Sequence, residues 1–206
     1  MIGIFDYTTL FTFLGTLCGI LSIYFSMSGS ILYSLLSLMA SGLFDSLDGT
    51  VARTKKNRSD FAKRYGIQLD SLSDVICFGT APLFIGLNVA KDHMWLQILC
   101  LIYLLTAISR LAWFNVDEEI RRTKETTSRK YYTGLPVTPA ALIFPTIYLL
   151  FHNFTDVFSY IYVSSMIIVA ILQISKLKVP HLKGKGEIIC VIYGIVLLGA
   201  LIHFCM

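Results

Sequence analysis

The stretch that decides the fold is FDSLDGTVARTKKNRSDFAKRYGIQLDSLSDVICFG, residues 44–79. Asp45 and Asp48 are three residues apart at the end of one apolar run, and Asp70 and Asp74 are four apart at the start of the next. Both spacings place side chains on a single helix face. The runs are consecutive, and the segment between them is basic, so the two helices are expected to be antiparallel with the acidic pairs facing each other at one depth. Four carboxylates brought together repel, and each is costly within a membrane. A divalent cation, or two, relieves both problems, and an oxygen-only ligand set suits Mg²⁺, Mn²⁺ or Ca²⁺ rather than zinc.

Composition supports membrane helices on either side of this stretch. Of 206 residues, 55% are hydrophobic and 15% charged, with a mean hydropathy of +0.70; soluble domains carry about 25% charged residues. About 20 apolar residues cross a bilayer as helix. On that basis seven spans are expected: Tyr7–Met27, Ser30–Arg53, Gly66–Ala90, Met94–Asn115, Pro136–Phe151, Val157–Ser175 and Glu187–Phe204. The first lacks a basic leader and a small-residue cleavage site, and reads as a true transmembrane helix. Six Lys/Arg fall in Arg53–Arg64, six in Arg110–Lys130 and four in Lys176–Lys185, which leaves only Lys91 of the 17 on the other side. Positive charge marks the cytoplasmic side, so the N-terminus and the acidic cluster are expected to face the cytoplasm and the C-terminus to lie outside. The net charge of +4 is then met by anionic lipid and nucleotide phosphates, with no need for nucleic acid. The five cysteines, in apolar stretches without CxxC spacing, read as small buried hydrophobes. The four scattered histidines carry no metal pattern.

Around the aspartates, Gly49 and Ala52 would let a flat base approach the backbone, and Arg53 offers a bidentate phosphate donor. Gly66 suits a close helix approach or a sharp start to the third span. The set D-x2-D-G-x2-A-R followed by G-x3-D-x3-D resembles the signature of the CDP-alcohol phosphotransferases at Asp45, Asp48, Gly49, Ala52, Arg53, Gly66, Asp70 and Asp74. The resemblance implies a six-helix core around a polar cavity open to the cytoplasm, and a homodimer. It implies metal on Asp45, Asp48 and Asp70, with Asp74 near a second ion and acting as general base. It also implies contacts from Asp48, Gly49, Ala52, Arg53 and Gly66 to the CDP moiety. The expected architecture is therefore an all-α integral membrane protein, with the six-helix core in residues 1–180 and an additional transmembrane helix in 181–206. Twelve residues separate Arg53 from Gly66 where about eight are usual, which makes Ala62–Tyr65 an insertion of about one helical turn.

Asp70–Asp74 followed by Phe78-Gly79 and Ala81-Pro82, then Ser109–Asn115 and Gly134–Ala141, is similar to the phosphatidylserine synthase branch, except that Trp113 replaces an arginine. That likeness implies transfer from CDP-diacylglycerol to L-serine in a membrane, the plasma membrane of a prokaryote being expected, with ester or ether lipid left open. Arg110, Asn115 and Lys130 are the candidates for acceptor or phosphate binding, and Arg110 could equally snorkel to the interface. Rival readings are another acceptor, such as glycerol phosphate or inositol phosphate, and a divalent-cation transporter.

Overall fold

A computed structural model describes residues 3–55, 59–124, 131–180 and 185–205. Helix α1 (Tyr7–Met27) starts at Asp6, whose side chain accepts the backbone N–H groups of Thr8 and Thr9 while the Thr9 hydroxyl accepts the Asp6 N–H. This reciprocal cap satisfies donors that a helix start otherwise leaves open. The chain turns at Gly29 (φ 83°) and returns as α2 (Ile31–Thr54). Helix α3 (Asp60–Asp74) runs through a π-helical turn (Val75–Thr80) into α4 (Ala81–Val89). Then come α5 (Met94–Lys124), β1 (Tyr131–Thr133), α6 (Ala140–Phe151), α7 (Phe158–Ile174), β2 (Lys178–Pro180) and α8 (Lys185–Cys205).

The packing is that of membrane helices. Helix α1 turns Thr8, Thr9, Gly15, Gly19, Ser22 and Ser26 inward and exposes Leu10, Leu14, Leu17, Ile20 and Tyr24. Lipid is as apolar as leucine, so burying leucine gains little there, and small or hydroxylated faces bring helices together instead. A Cβ on Gly19 would lie 2.6 Å from Cys77 Sγ, and one on Gly42 would lie 2.6 Å from Ala141 Cβ. Hydroxyls act as interhelical ties: Ser22 with Ser34, and Thr16 with Ser73 at 2.6 Å. A larger apolar centre forms where α4, α5, α6 and α7 meet, around Ile85, Tyr103, Phe144, Tyr162 and Met166.

Seven comparable crossings, six in a core plus one, are not what the structure shows. Among the described residues four helical stretches are long and apolar enough to cross a membrane: Tyr7–Met27, Ile31–Ala52, Asp60–Val89 and Met94–Arg121. Ala140–Phe151, Phe158–Ile174 and Ile188–Phe204 are shorter apolar helices. The discrepancy is largest for the expected fifth span. Its first residues, Pro136 to Pro139, are not helical, and α6 has 12 residues, about 18 Å at 1.5 Å each against a hydrocarbon core of about 30 Å. Pro136 and Pro139 lack the N–H that a helical ladder needs.

Other boundaries moved too. Gly66 is not a turn: α3 is already helical from Asp60, so Ala62–Tyr65 forms one more helical turn. Helix α5 extends nine residues past Asn115, into a polar segment for which the sequence leaves an interfacial helix and an ordered flap equally open. Strands β1 and β2, not expected in an all-α chain, pair antiparallel with Tyr132 opposite Val179. They tie the approach to α6 to the exit from α7. Gly134 follows β1 at φ 75°, where any Cβ would collide with the Gln173 carbonyl oxygen.

Candidate active site

Helices α2 and α3 bring the two acidic pairs together. One carboxylate oxygen each from Asp45, Asp70 and Asp74 lies within 4.8 Å of the other two. Asp45 is in hydrogen-bonding contact with Asp74, and Asp48 with Asp70. The Thr138 hydroxyl, from the segment before α6, donates to Asp45 Oδ2 at 3.1 Å. Asp74 ends the regular α-helical part of α3, and the π turn follows at once. The buried Tyr103 hydroxyl on α5 donates to the Phe78 carbonyl within that turn at 2.6 Å. π-turns recur at functional sites because they re-aim a helix face without ending the helix; here the change falls next to the residue expected to do chemistry.

Two connected clefts meet at these carboxylates. The inner one, a narrow space of about 10 Å³, lies between Asp45, Asp48, Asp70 and Asp74, over Ser41 and Ser73. The outer groove, about 260 Å³, has three walls. Helix α2 contributes Asp48, Gly49 and Ala52; α3 contributes Lys63, Gly66, Ile67 and Asp70; the first turns of α1 contribute Thr8, Thr9 and Thr12. A Cβ placed on Gly49 meets nothing within 4 Å. This glycine therefore leaves open space, unlike Gly19 and Gly42, which allow close packing.

The donor set fits a divalent cation. Two oxygens bound to one ion can lie no more than about twice the metal–oxygen distance apart, about 4.2 Å for Mg²⁺ and about 5 Å for Ca²⁺; carboxylate oxygens within 4.8 Å of one another meet the Ca²⁺ limit as they stand and would close by a few tenths of an ångström around Mg²⁺. Asp45, Asp70 and Asp74 would hold the ion, with Asp48 beside Asp70. All four carboxylates, with no cationic side chain among the described residues lining the inner cleft, form a hard-oxygen site.

Asn115 lines neither cleft. Its Nδ2 donates to Ser71 Oγ at 2.9 Å, one residue from Asp70. Arg110 is buried on the same helix, with its guanidinium 4.8 Å from the Phe114 ring centroid; it lines neither cleft. The side chain of Arg53 lies outside the described residues, although its backbone belongs to α2, and Lys130 lies outside them altogether. Sequence reasoning missed Thr138, the α1 threonines and Lys63. Thr8, Thr12 and Thr16 recur every fourth residue in an otherwise apolar helix, and this was the readable signal of a polar face. Thr138 gave no comparable signal, being 93 residues from the carboxylate it contacts.

The profile of the CDP-alcohol phosphatidyltransferase family matches residues 7–177. An archaetidylserine synthase from Methanothermobacter thermautotrophicus is 37% identical over 86% of this chain and 70% of its own length. A CDP-diacylglycerol–serine O-phosphatidyltransferase from Methanocaldococcus jannaschii is 33% identical over 90% of this chain and 77% of its own. One of the same name from Helicobacter pylori is 30% identical over 86% and 73%. The chain is an integral membrane enzyme of phosphotransfer, and it belongs to the CDP-alcohol phosphatidyltransferase family, in the branch whose members are named CDP-diacylglycerol–serine O-phosphatidyltransferases.

Proposed function

We propose that this enzyme transfers the phosphatidyl group of a CDP-linked lipid to the hydroxyl of L-serine and releases CMP. The observation that carries the reading is the meeting of four aspartates from two antiparallel helices at the inner end of a groove walled by Gly49, Ala52 and Gly66. The groove takes the CDP moiety, its open floor at Gly49 admitting the nucleotide to the backbone of α2. Arg53 and Lys63 supply positive charge for phosphate oxygens; Lys63 comes from the helical turn added by Ala62–Tyr65. Asp45, Asp48, Asp70 and Asp74 would hold two divalent cations, Mg²⁺, Mn²⁺ or Ca²⁺, whose charge would offset that of the pyrophosphate.

Asp74 accepts the proton of the serine hydroxyl as its oxygen forms a bond to the lipid-side phosphorus. The bond from that phosphorus to the CMP oxygen breaks, and CMP leaves with the electron pair. A positioned base contributes about 10²- to 10⁴-fold, and alignment of lipid and nucleophile adds to it. Asn115, held against Ser71 one residue from Asp70, and Arg110 on the same helix are the acceptor-binding candidates of this reading. The basic ends of α2 and α3 favour a site at the cytoplasmic face, where the lipid would arrive sideways and serine from water. The names of the relatives favour serine, and one of them makes an archaetidyl lipid, so either an ester or an ether donor suits the reading.

The test is CMP release by the purified protein in nanodiscs, with ester and ether CDP-lipids and a panel of acceptors. Serine-dependent release, with glycerol phosphate and inositol phosphate inactive, is expected. Release dependent on a phosphorylated alcohol instead would overturn the serine assignment while leaving the family reaction intact.

A further inference from the structure

The outer groove needs its third wall, and that wall is the least secure part of a helix. Thr8 and Thr9 stand in the first turn of α1, where backbone donors are unsatisfied and helices fray. Here they are only 4% and 2% exposed. Asp6 accounts for this. Its Oδ1 accepts the Thr8 N–H, the Thr9 N–H and the Thr8 hydroxyl, while its Oδ2 accepts Lys55 Nζ at 2.6 Å. Lys55 follows directly on the last turn of α2, three residues after Ala52 in the opposite wall. The Tyr7 hydroxyl bonds to Thr54 Oγ1 at 3.1 Å, and Lys55 Nζ lies 6.0 Å from the Tyr7 ring centroid. One carboxylate thus serves two purposes, each with its own oxygen: it caps α1 and grips the end of α2.

We propose that the Asp6–Lys55 ion pair is a latch that sets the width of the donor groove, holding the Thr8–Thr9 wall of α1 against the Gly49–Ala52 wall of α2. Lys55 is thereby a positioning residue rather than a phosphate ligand, although it sits in the most basic segment of the chain. This rests on the reading that the groove takes the CDP moiety. The latch acts on donor affinity and not on the chemical step, because Asp74, the proposed base, lines the inner cleft and not the outer groove.

Steady-state CMP release by the full-length enzyme in nanodiscs separates these roles. Lys55→Gln is expected to raise KM for CDP-diacylglycerol about fivefold, the upper end of what a partly exposed ion pair contributes, with kcat within about twofold. Lys55→Arg is expected to restore KM. Asp6→Asn should behave as Lys55→Gln does, since its amide oxygen still caps α1 without the charge; it carries the test should Lys55→Gln fail to accumulate. A role in stability alone would lower the melting temperature without moving KM. Gly49→Leu separates the latch from the groove reading beneath it. If Gly49→Leu raises KM and neither latch variant does, the latch is wrong and the groove stands. If none of the three moves KM, both fall.

Discussion

Replacing Gly49 offers the sharpest test of the groove, because the structure separates the two reasons a membrane helix keeps a glycine. A Cβ at Gly42 would lie 2.6 Å from Ala141 Cβ, whereas one at Gly49 has no neighbour within 4 Å. Gly42→Ala must therefore push α2 away from α6, and a cost of about 1–3 kcal/mol is typical of overpacking. Gly49→Ala and Gly49→Leu meet no such contact in the free protein. Each should keep or raise stability, since glycine in a helix interior costs about 0.5–1 kcal/mol relative to alanine. Their cost should appear only when the groove is filled. If the added carbons occupy space that the nucleotide requires, the same 1–3 kcal/mol is charged to the complex, which is about 5- to 150-fold in kcat/KM. The assay is CMP release against CDP-lipid concentration, paired with thermal unfolding of the same preparations. The expected pattern is a stepwise fall in kcat/KM from Gly to Ala to Leu at position 49 with an unchanged or higher melting temperature, and a lower melting temperature for Gly42→Ala. A Gly49→Leu enzyme with kcat/KM within about twofold of the parent would refute the assignment of the groove to the donor.

Asp74→Asn is expected to lower turnover by at least about 10²-fold while CDP-lipid binding persists; near-normal transfer by that variant would remove Asp74 as the base. Chelation should abolish activity, and Mg²⁺ or Mn²⁺ should restore it. Thr138→Val removes the hydroxyl that orients Asp45 and should raise the cation concentration for half-maximal activity about tenfold; an unchanged cation titration would make that contact incidental. The Lys55 ammonium first, and then the Thr8 hydroxyl, hold the Asp6 carboxyl well below the usual carboxylate range. The sign follows from a depressed value in the folded state: the stabilisation is complete above the unfolded value of about 3.9 and fades as pH falls below it. The melting temperature of the parent should therefore exceed that of Asp6→Asn between pH 7 and about pH 4, with the gap closing below that; a gap that closed by pH 6 would contradict the ion pair.

The acidic pairs were legible because their chemistry is local. Spacings of three and four fix a helix face, and a basic connection between two apolar runs fixes which ends meet. Helix lengths were less legible, since hydropathy does not distinguish a helical apolar residue from an irregular one. At Pro136–Pro139 the missing N–H groups decided the matter. At Ala62–Tyr65 the spacing gave one extra helical turn, but the polar residues hid that the helix runs on unbroken from the Ser59 cap. The π turn after Asp74 has no sequence signature in Val75–Thr80. The hydroxyl that orients Asp45 and the cation that holds Asp6 both come from distant segments, joined only by tertiary packing. Lys55 shows the limit most clearly: by composition it is one more cation in a phosphate-facing loop, and only the fold turns it toward Asp6.

One face of α2 connects these observations. Ser34, Leu38, Ser41, Gly42, Asp45, Gly49 and Ala52 recur at intervals of three, four and seven. Along the first half of the helix this face is covered: Ser34 bonds to Ser22 on α1, and Gly42 meets Ala141 on α6. At Asp45 the cover becomes carboxylates, and beyond it, at Gly49 and Ala52, the same stripe lies open as groove floor. The small residues that let helices associate in lipid thus also make the space for substrate, once the partner helices no longer cover them. A cation pathway through the membrane would need the polar stripe to continue past Gly42, where Ala141 and Phe78 close it. The acidic cluster adjoins the open groove on one side and packed helix on the other, an arrangement that suits an enzyme drawing one substrate from the bilayer and another from the aqueous phase.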